Sequence, residues 1–260
     1  RWFSGRLRSH GLMAGILRHP MPYGHLASQR LQRFATLSDL SEAHCTNEER
    51  EEYEPHIAAG NVVFAGVDYA AILAAAEAES DVILWDGGNN DFPFIKPDLH
   101  IVITDALRPD HLSTHHPGEA TLRMADIVVI NKVNSASAEV VQRMIGDVHA
   151  LTPRATIVRA SSPVKLENPD AVRGKRVLVI DDGPTITHGG MAHGAGNVAA
   201  IEGGAKEIVD PRASATDEIL EVYNRYPHIG RVLPAVGYSD AELLALQKTI
   251  NQSDADVILS

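Results

Sequence analysis

Short runs rich in Val, Ile and Leu recur along this chain, and segments of helical periodicity separate many of them. The runs fall at 12–17, 62–65, 82–85, 99–104, 127–130, 156–159, 177–180, 207–209 and 256–259. Helical patterns occupy 69–79, 138–150, 196–203, 216–226 and 240–252. Unbroken apolar runs, unlike alternating ones, suit strands buried on both faces. Alternation with helices therefore predicts an α/β fold, a mostly parallel sheet with helices on both faces. In such sheets ligands bind beyond the carboxyl ends of the strands, so the residues just after each run carry the functional reading.

A formal net charge of −11 over 260 residues argues against a general nucleic-acid or anionic-membrane binder, and leaves a local phosphate site open. The partner expected is a phosphorylated small molecule, with no nucleic acid and no membrane; an oligomer stays open. The single cysteine, Cys45, cannot form an internal disulfide, which suits a reducing cytoplasm. The polar stretch 167–175, with Pro169 and Gly174, is the expected boundary between a domain at 1–166 and a smaller C-terminal α/β domain at 175–260. The acidic run 46–55 reads as a solvated helix face, with a metal role as the alternative. The first residues are rich in Arg and contain no acid before Asp39. They read either as a transit peptide or as an amphipathic helix with Trp2, Phe3 and Leu7 inward. The helix-then-strand rhythm favours the second.

Asp86 follows the run 82–85, the place where a P-loop NTPase holds Mg²⁺ through an acid. Gly87 and Gly88 would admit a phosphate, and Asn89, Asn90 and Asp91 would orient water or substrate. A plain turn explains the same residues. Asn131 and Lys132 follow the run 127–130 and resemble the start of an NKxD base-recognition loop. Asn134 stands where that loop has Asp, so paired acceptance from guanine is lost and ATP becomes the expected nucleotide. Ser161 and Ser162 would close over the base. No G-x-x-x-x-G-K-[S/T] occurs in the 260 residues. The expectation is that this loop and its strand precede Arg1. After the first run, Arg18 and His19 would grip an anion. The segment 111–119 gathers His111, His115, His116 and Glu119 at spacing irregular for zinc. The segment 181–200 carries Gly183, Gly189, Gly190, Gly194 and Gly196 with His188 and His193, a pattern for an anion site built from backbone N–H groups. Arg225, His228 and Arg231 mark another candidate anion-facing loop.

The phrases "RHPMPYG", "EEREEYEPHI", "DVILWDGGNNDFPF", "LRMADIVVINKV", "GKRVLVIDDGPTITHGGM" and "YPHIGRVLPAVGY" make the chain resemble the cyclic 2,3-diphosphoglycerate synthetase family. The resemblance implies a P-loop NTPase-like core and an ATP- and Mg²⁺-dependent ligase that closes 2,3-diphosphoglycerate into a cyclic phosphoanhydride. By loop position, Asp86, Asp91 and His19 would be catalytic, with Asp86 also the metal ligand. Asn131, Lys132, Ser161 and Ser162 would bind the nucleotide. Arg18, His188, Gly189, Gly190, Gly194 and Gly196 would bind the substrate phosphates. Two alternatives remain: a GTPase of the switch or metal-insertion type, and an inactive fragment.

Overall fold

The computed structural model describes residues 1–19, 26–87, 92–187, 189–236 and 239–260. Two compact units emerge, Arg1–Ser162 and Pro163–Ser260. The α/β class expected from the sequence is present throughout: mostly parallel sheets flanked by helices.

The first unit contains two sheets. In one, β1 (Ala14–Arg18), β3 (Val62–Ala65) and β4 (Val82–Trp85) run parallel, and β2 (Gln32–Phe34) pairs antiparallel with β3, giving the order β2-β3-β1-β4. In the other, β5 (Ile101–Asp105), β6 (Ile127–Asn131) and β7 (Thr156–Arg159) are parallel and adjacent in that order. Among the described strands β4 pairs only with β1, and β5 only with β6.

Strand alternation decides which helix each residue meets. Ile16, Val63 and Leu84 face one side of the first sheet with Phe34, Leu40 and Tyr53. Leu17, Phe64 and Trp85 face the other with Ile72 and Ala76. The first side is covered from α2 (Leu37–Glu42) and α3 (Asn47–Ala58), the second from α4 (Tyr69–Glu79). Each helix starts at a sequence-encoded cap. Thr36 with Asp39 and Thr46 with Glu49 form reciprocal capping boxes, and Asp68 accepts from the Ala71 N–H at 3.0 Å. Burying each large side chain completely, as for Leu17 and Phe64, contributes roughly 1.5–3 kcal/mol.

One expectation needs correction here. In α1 (Trp2–Ser9) the buried side chain is Ser4, while Trp2 and Phe3 are exposed and meet edge to face. Ser4 earns burial by accepting from Asn61 Nδ2 at 3.0 Å, and Arg8 of the same helix reaches Asn61 Oδ1 at 2.9 Å; polar contacts orient this helix. Val128 and Ile130 pack under α6 (Gly118–Arg123) and α7 (Ala138–Leu151), following α5 (His111–Thr114). The opposite face carries Ile103, 70% exposed, in one row with Val129 and Val158.

The second unit is built on β8 (Arg176–Asp182), whose Val177, Leu178 and Val179 are fully buried. It pairs in parallel with β9 (Glu207–Ile208), β10 (Leu233–Ala235) and β11 (Val257–Leu259). Helices α8 (Gly183–Thr187), α9 (Ala195–Glu202), α10 (Asp217–Arg225) and α11 (Asp240–Asn251) complete it. Val172 belongs to this unit's core, so the stretch 167–175 lies inside the unit, and the division falls after Ser162.

Candidate functional site

Arg18 ends β1 and Asp86 directly follows β4, its neighbour in the sheet, so register alone places them side by side. The Asp86 N–H donates to the Leu17 carbonyl at 3.0 Å, extending the ladder by one residue. Arg18 Nη1 donates to the Asp86 carbonyl at 2.9 Å and lies 3.2 Å from Asp86 Oδ2. Arg18 Nη2 pairs with Glu52 of α3, and His56, one helical turn further along α3, brings Nε2 to 3.3 Å from Asp86 Oδ2. The acidic run is thus more than a solvated face, because Glu52 and His56 reach the strand tips at the i, i+4 spacing that puts them on one side of a helix.

The electrostatics follow from these contacts. The hydrogen bond from His56 holds the Asp86 carboxyl below the usual carboxylate range; burial opposes this, and Arg18 adds to it. Burial works against the Arg18 charge, but Glu52 and Asp86 outweigh it and raise its pKa. Asp86 keeps 49% of its side chain exposed, while Arg18 and His56 keep 14% and 7%. The exposed member is therefore an ionised acid on a buried support. Arg18 Nε, His56 Nδ1 and the Tyr53 hydroxyl are buried without hydrogen-bond partners among the described residues. His19 is exposed.

A second cluster lies at the ends of β5 and β6. Lys132 Nζ is 2.7 Å from Asp105 Oδ2, and Arg108 and the Leu107 N–H donate to the same carboxylate. Burial pushes Asp105 up, but Lys132, the Leu107 amide and Arg108 prevail, and its pKa is lowered. Lys132 has φ +61°, a left-handed conformation that costs a non-glycine residue energy and is typical of functional turns. Asn131 closes β6, its carbonyl accepting from Ala106 N–H at 3.0 Å. Asn134 Oδ1 accepts from the Ser162 N–H at 2.8 Å, so this amide ties the 160–162 loop to the Asn-Lys loop. Ser161 and Ser162 are exposed.

In the second unit Gly194 and Gly196 do bind an anion, but it is the chain's own. Both N–H groups donate at 2.8 Å to Asp181, which is 5% exposed at the end of β8. A Cβ on either glycine would come within 2.8 Å of Asp181 Oδ1, which is why glycine stands at both positions. The expectation of these amides as a phosphate cradle is corrected accordingly. Gly189 N–H donates to the Pro184 carbonyl at 3.0 Å, and Gly190 takes φ +68°. His228 is also spent internally, on the Ile186 carbonyl at 2.7 Å. Asp91 and His188 lie outside the described residues.

Sequence reasoning missed Glu52, His56, Asp105 and Asp181. Asp105 and Asp181 follow the same strand-end rule that pointed to Asp86. No described group of three or more His, Cys, Asp or Glu could hold a metal by itself. Mg²⁺ takes one or two carboxylates and completes its shell with phosphate oxygens and water. Asp86 offers an ionised carboxylate whose Oδ1 has no partner among the described residues, and that donor chemistry fits.

Residues 56–161 match the family described as cyclic 2,3-diphosphoglycerate synthetase, P-loop domain. Over this segment, less than half of its length, the chain resembles that family. The chain is 52% identical over 253 residues to arginine synthetase ArcE of Thermococcus kodakarensis, across 97% of its own length and 56% of that protein. It is 24% and 28% identical to cyclic 2,3-diphosphoglycerate synthetases of Thermococcus sibiricus and Thermococcus gammatolerans, over 44% and 47% of its length. These alignments cover 26% and 27% of the two relatives, so the chain spans about half or less of each curated protein it matches. The matched model is described as a P-loop domain, and all three relatives are named synthetases. His56, Asp86, Asp105, Asn131 and Lys132 lie within the matched segment, and Arg18 and Glu52 lie outside it.

Proposed function

We propose that this chain carries part of the site of an ATP-dependent ligase whose common step is phosphoryl transfer to an acceptor oxygen. The observation that carries the reading is Asp86, an ionised, half-exposed carboxylate at the mouth of a parallel sheet, backed by Arg18. Positioning and charge neutralisation supply most catalysis in phosphoryl transfer. Mg²⁺ bound there with the nucleotide would neutralise phosphate charge, and Asp86 Oδ1 is the atom that would hold it. Asp91 and His19 stand beside the same strand ends in sequence, as candidates to orient the acceptor. Asn131 and Lys132, with Ser161 and Ser162 tied to them through Asn134, form the candidate nucleotide loop.

The acceptor we favour is a ureido amino acid. The relative named arginine synthetase is 52% identical over 97% of the chain. Building a guanidinium from a ureido group requires its oxygen to leave. Phosphorylation makes that oxygen a leaving group, and ammonia then displaces it as phosphate. The Arg18, Glu52 and Asp86 cluster sets two carboxylates against one permanent cation, a better match to an amino acid than to a polyanion. The second reading, cyclisation of 2,3-diphosphoglycerate, is supported by the match over 56–161. Its chemistry shares the activation step, with a neighbouring phosphate as nucleophile.

The test is ADP release by the full-length protein. We expect stimulation by the ureido analogue of arginine plus ammonia, with arginine formed. Stimulation by 2,3-diphosphoglycerate alone reverses the ranking, and no stimulation by either removes the ligase reading.

A further inference from the structure

Asp86 does not stand alone at the end of β4. Its carboxylate is held from two directions by residues that α3 controls, and nothing in the Asp86 loop itself supplies these contacts among the described residues. We propose that Glu52 and His56 are positioning residues, a bracket from one helical turn that holds Asp86 by Oδ2 and leaves Oδ1 for a nucleotide-bound divalent cation. This rests on the ligase reading above, in which Asp86 is the metal carboxylate.

The bracket has two arms. Glu52 grips Arg18 Nη2, and Arg18 Nη1 in turn spans the carbonyl and Oδ2 of Asp86, at 2.9 and 3.2 Å. His56 reaches the same Oδ2 at 3.3 Å from the other arm. An ionised carboxylate only accepts, so the His56 proton sits on Nε2. The other ring nitrogen, Nδ1, is then a buried acceptor with no partner among the described residues. The imidazole is therefore fixed by its single bond to Asp86 and by packing.

The helix is placed to make this geometry repeatable. The Thr46–Glu49 capping box sets where α3 begins, and Tyr53, between the two arms in sequence, is fully buried and stacks on Phe34 with centroids 5.2 Å apart. Without His56, the carboxylate is free to rotate and turn either oxygen toward Arg18 Nη1, the guanidinium donor that already faces it. The oxygen meant for the cation would then be consumed. Residues that orient a metal carboxylate without touching the ion typically affect metal affinity by about 10–100-fold.

The experiment measures Mn²⁺ binding by electron paramagnetic resonance in the full-length protein, with the β,γ-imido analogue of ATP present. His56→Leu removes the donor, and His56→Gln keeps an N–H near the position of Nε2. We expect His56→Leu to weaken Mn²⁺ binding by about 10-fold or more, and His56→Gln to recover most of that loss. Affinity for the analogue without divalent ion should be unchanged, and melting temperature is recorded for each variant. The positioning role is overturned if His56→Leu binds Mn²⁺ like the wild type. It is equally overturned if both variants lose binding in step with melting temperature, since that marks packing alone. If the wild type with the analogue binds no Mn²⁺, the metal role of Asp86 fails, and this inference fails with it.

Discussion

Replacing Asp181 by Ala tests whether the glycine-rich loop of the second unit is stapled from within or reserved for a ligand. Asp181 accepts two backbone N–H bonds of 2.8 Å, from Gly194 and Gly196, at the start of α9. Hydrogen bonds to a charged group contribute about 1.5–3 kcal/mol each, which sets a ceiling near 3–6 kcal/mol for the pair. Both glycines are half-buried, so water recovers part of the loss once the carboxylate is gone. The favourable placement of an anion at a helix N-terminus adds a further 0.3–1 kcal/mol, roughly. The expected net loss is about 2–4 kcal/mol. For a cooperative unit of about 100 residues, each kcal/mol moves the midpoint by roughly 4–8 °C, so a drop of at least about 8 °C is expected. Urea unfolding followed by circular dichroism gives the free energy, and hydrogen exchange over 194–202 locates it. A loss below about 0.5 kcal/mol, together with stabilisation of the wild type by inorganic phosphate, would refute the internal staple.

The Tyr53 hydroxyl is buried without a partner among the described residues, so Tyr53→Phe should leave stability unchanged or raise it by up to about 1 kcal/mol; a loss of that size in urea unfolding contradicts the reading. Cys45 has its thiol pushed up to about 11 by burial, with Glu49 adding to the effect. Labelling by a disulfide reagent at neutral pH should therefore be slow in the native protein and rapid in urea, and fast native labelling contradicts it. Asp105 titrates below its unfolded value of about 3.9, so its contribution is present above that pH and lost as pH falls through the folded pKa. Asp105→Asn should cost about 1–3 kcal/mol at pH 7 and flatten the acid side of the stability profile; an unchanged acid slope contradicts the pairing with Lys132 and Arg108.

Local signals made β3, β4, β7 and α4 legible to the residue: unbroken apolar runs for β3 and β4, β-branched Thr156, Ile157 and Val158 for β7, and an alanine-rich helical pattern for α4. The short strands β2 and β10 were not. β2 reads Gln-Arg-Phe, with a single apolar residue, and takes its place through antiparallel pairing to β3. β10 contains Pro234, which argues against a strand until pairing to β8 alone shows it at an edge. The strand-end rule found Asp86 and Arg18, but tertiary partners decide what such residues do. Lys132 and Asp105 meet across a 27-residue separation. Gly194 and Gly196 look like open donors in sequence because their acceptor lies 13 and 15 residues earlier. Likewise, the acidic composition of 46–55 hides that Glu52 and His56 share one helical face.

The most direct test of the central claim is Mg²⁺-dependent ATP turnover by full-length Asp86→Asn, with acceptor saturating and folding checked by circular dichroism. Removing a preorganised charged group of this kind costs about 10²–10³ in kcat, and at least a 10²-fold loss is predicted. Turnover within a few-fold of wild type would show that the carboxylate at the end of β4 does not serve phosphoryl transfer.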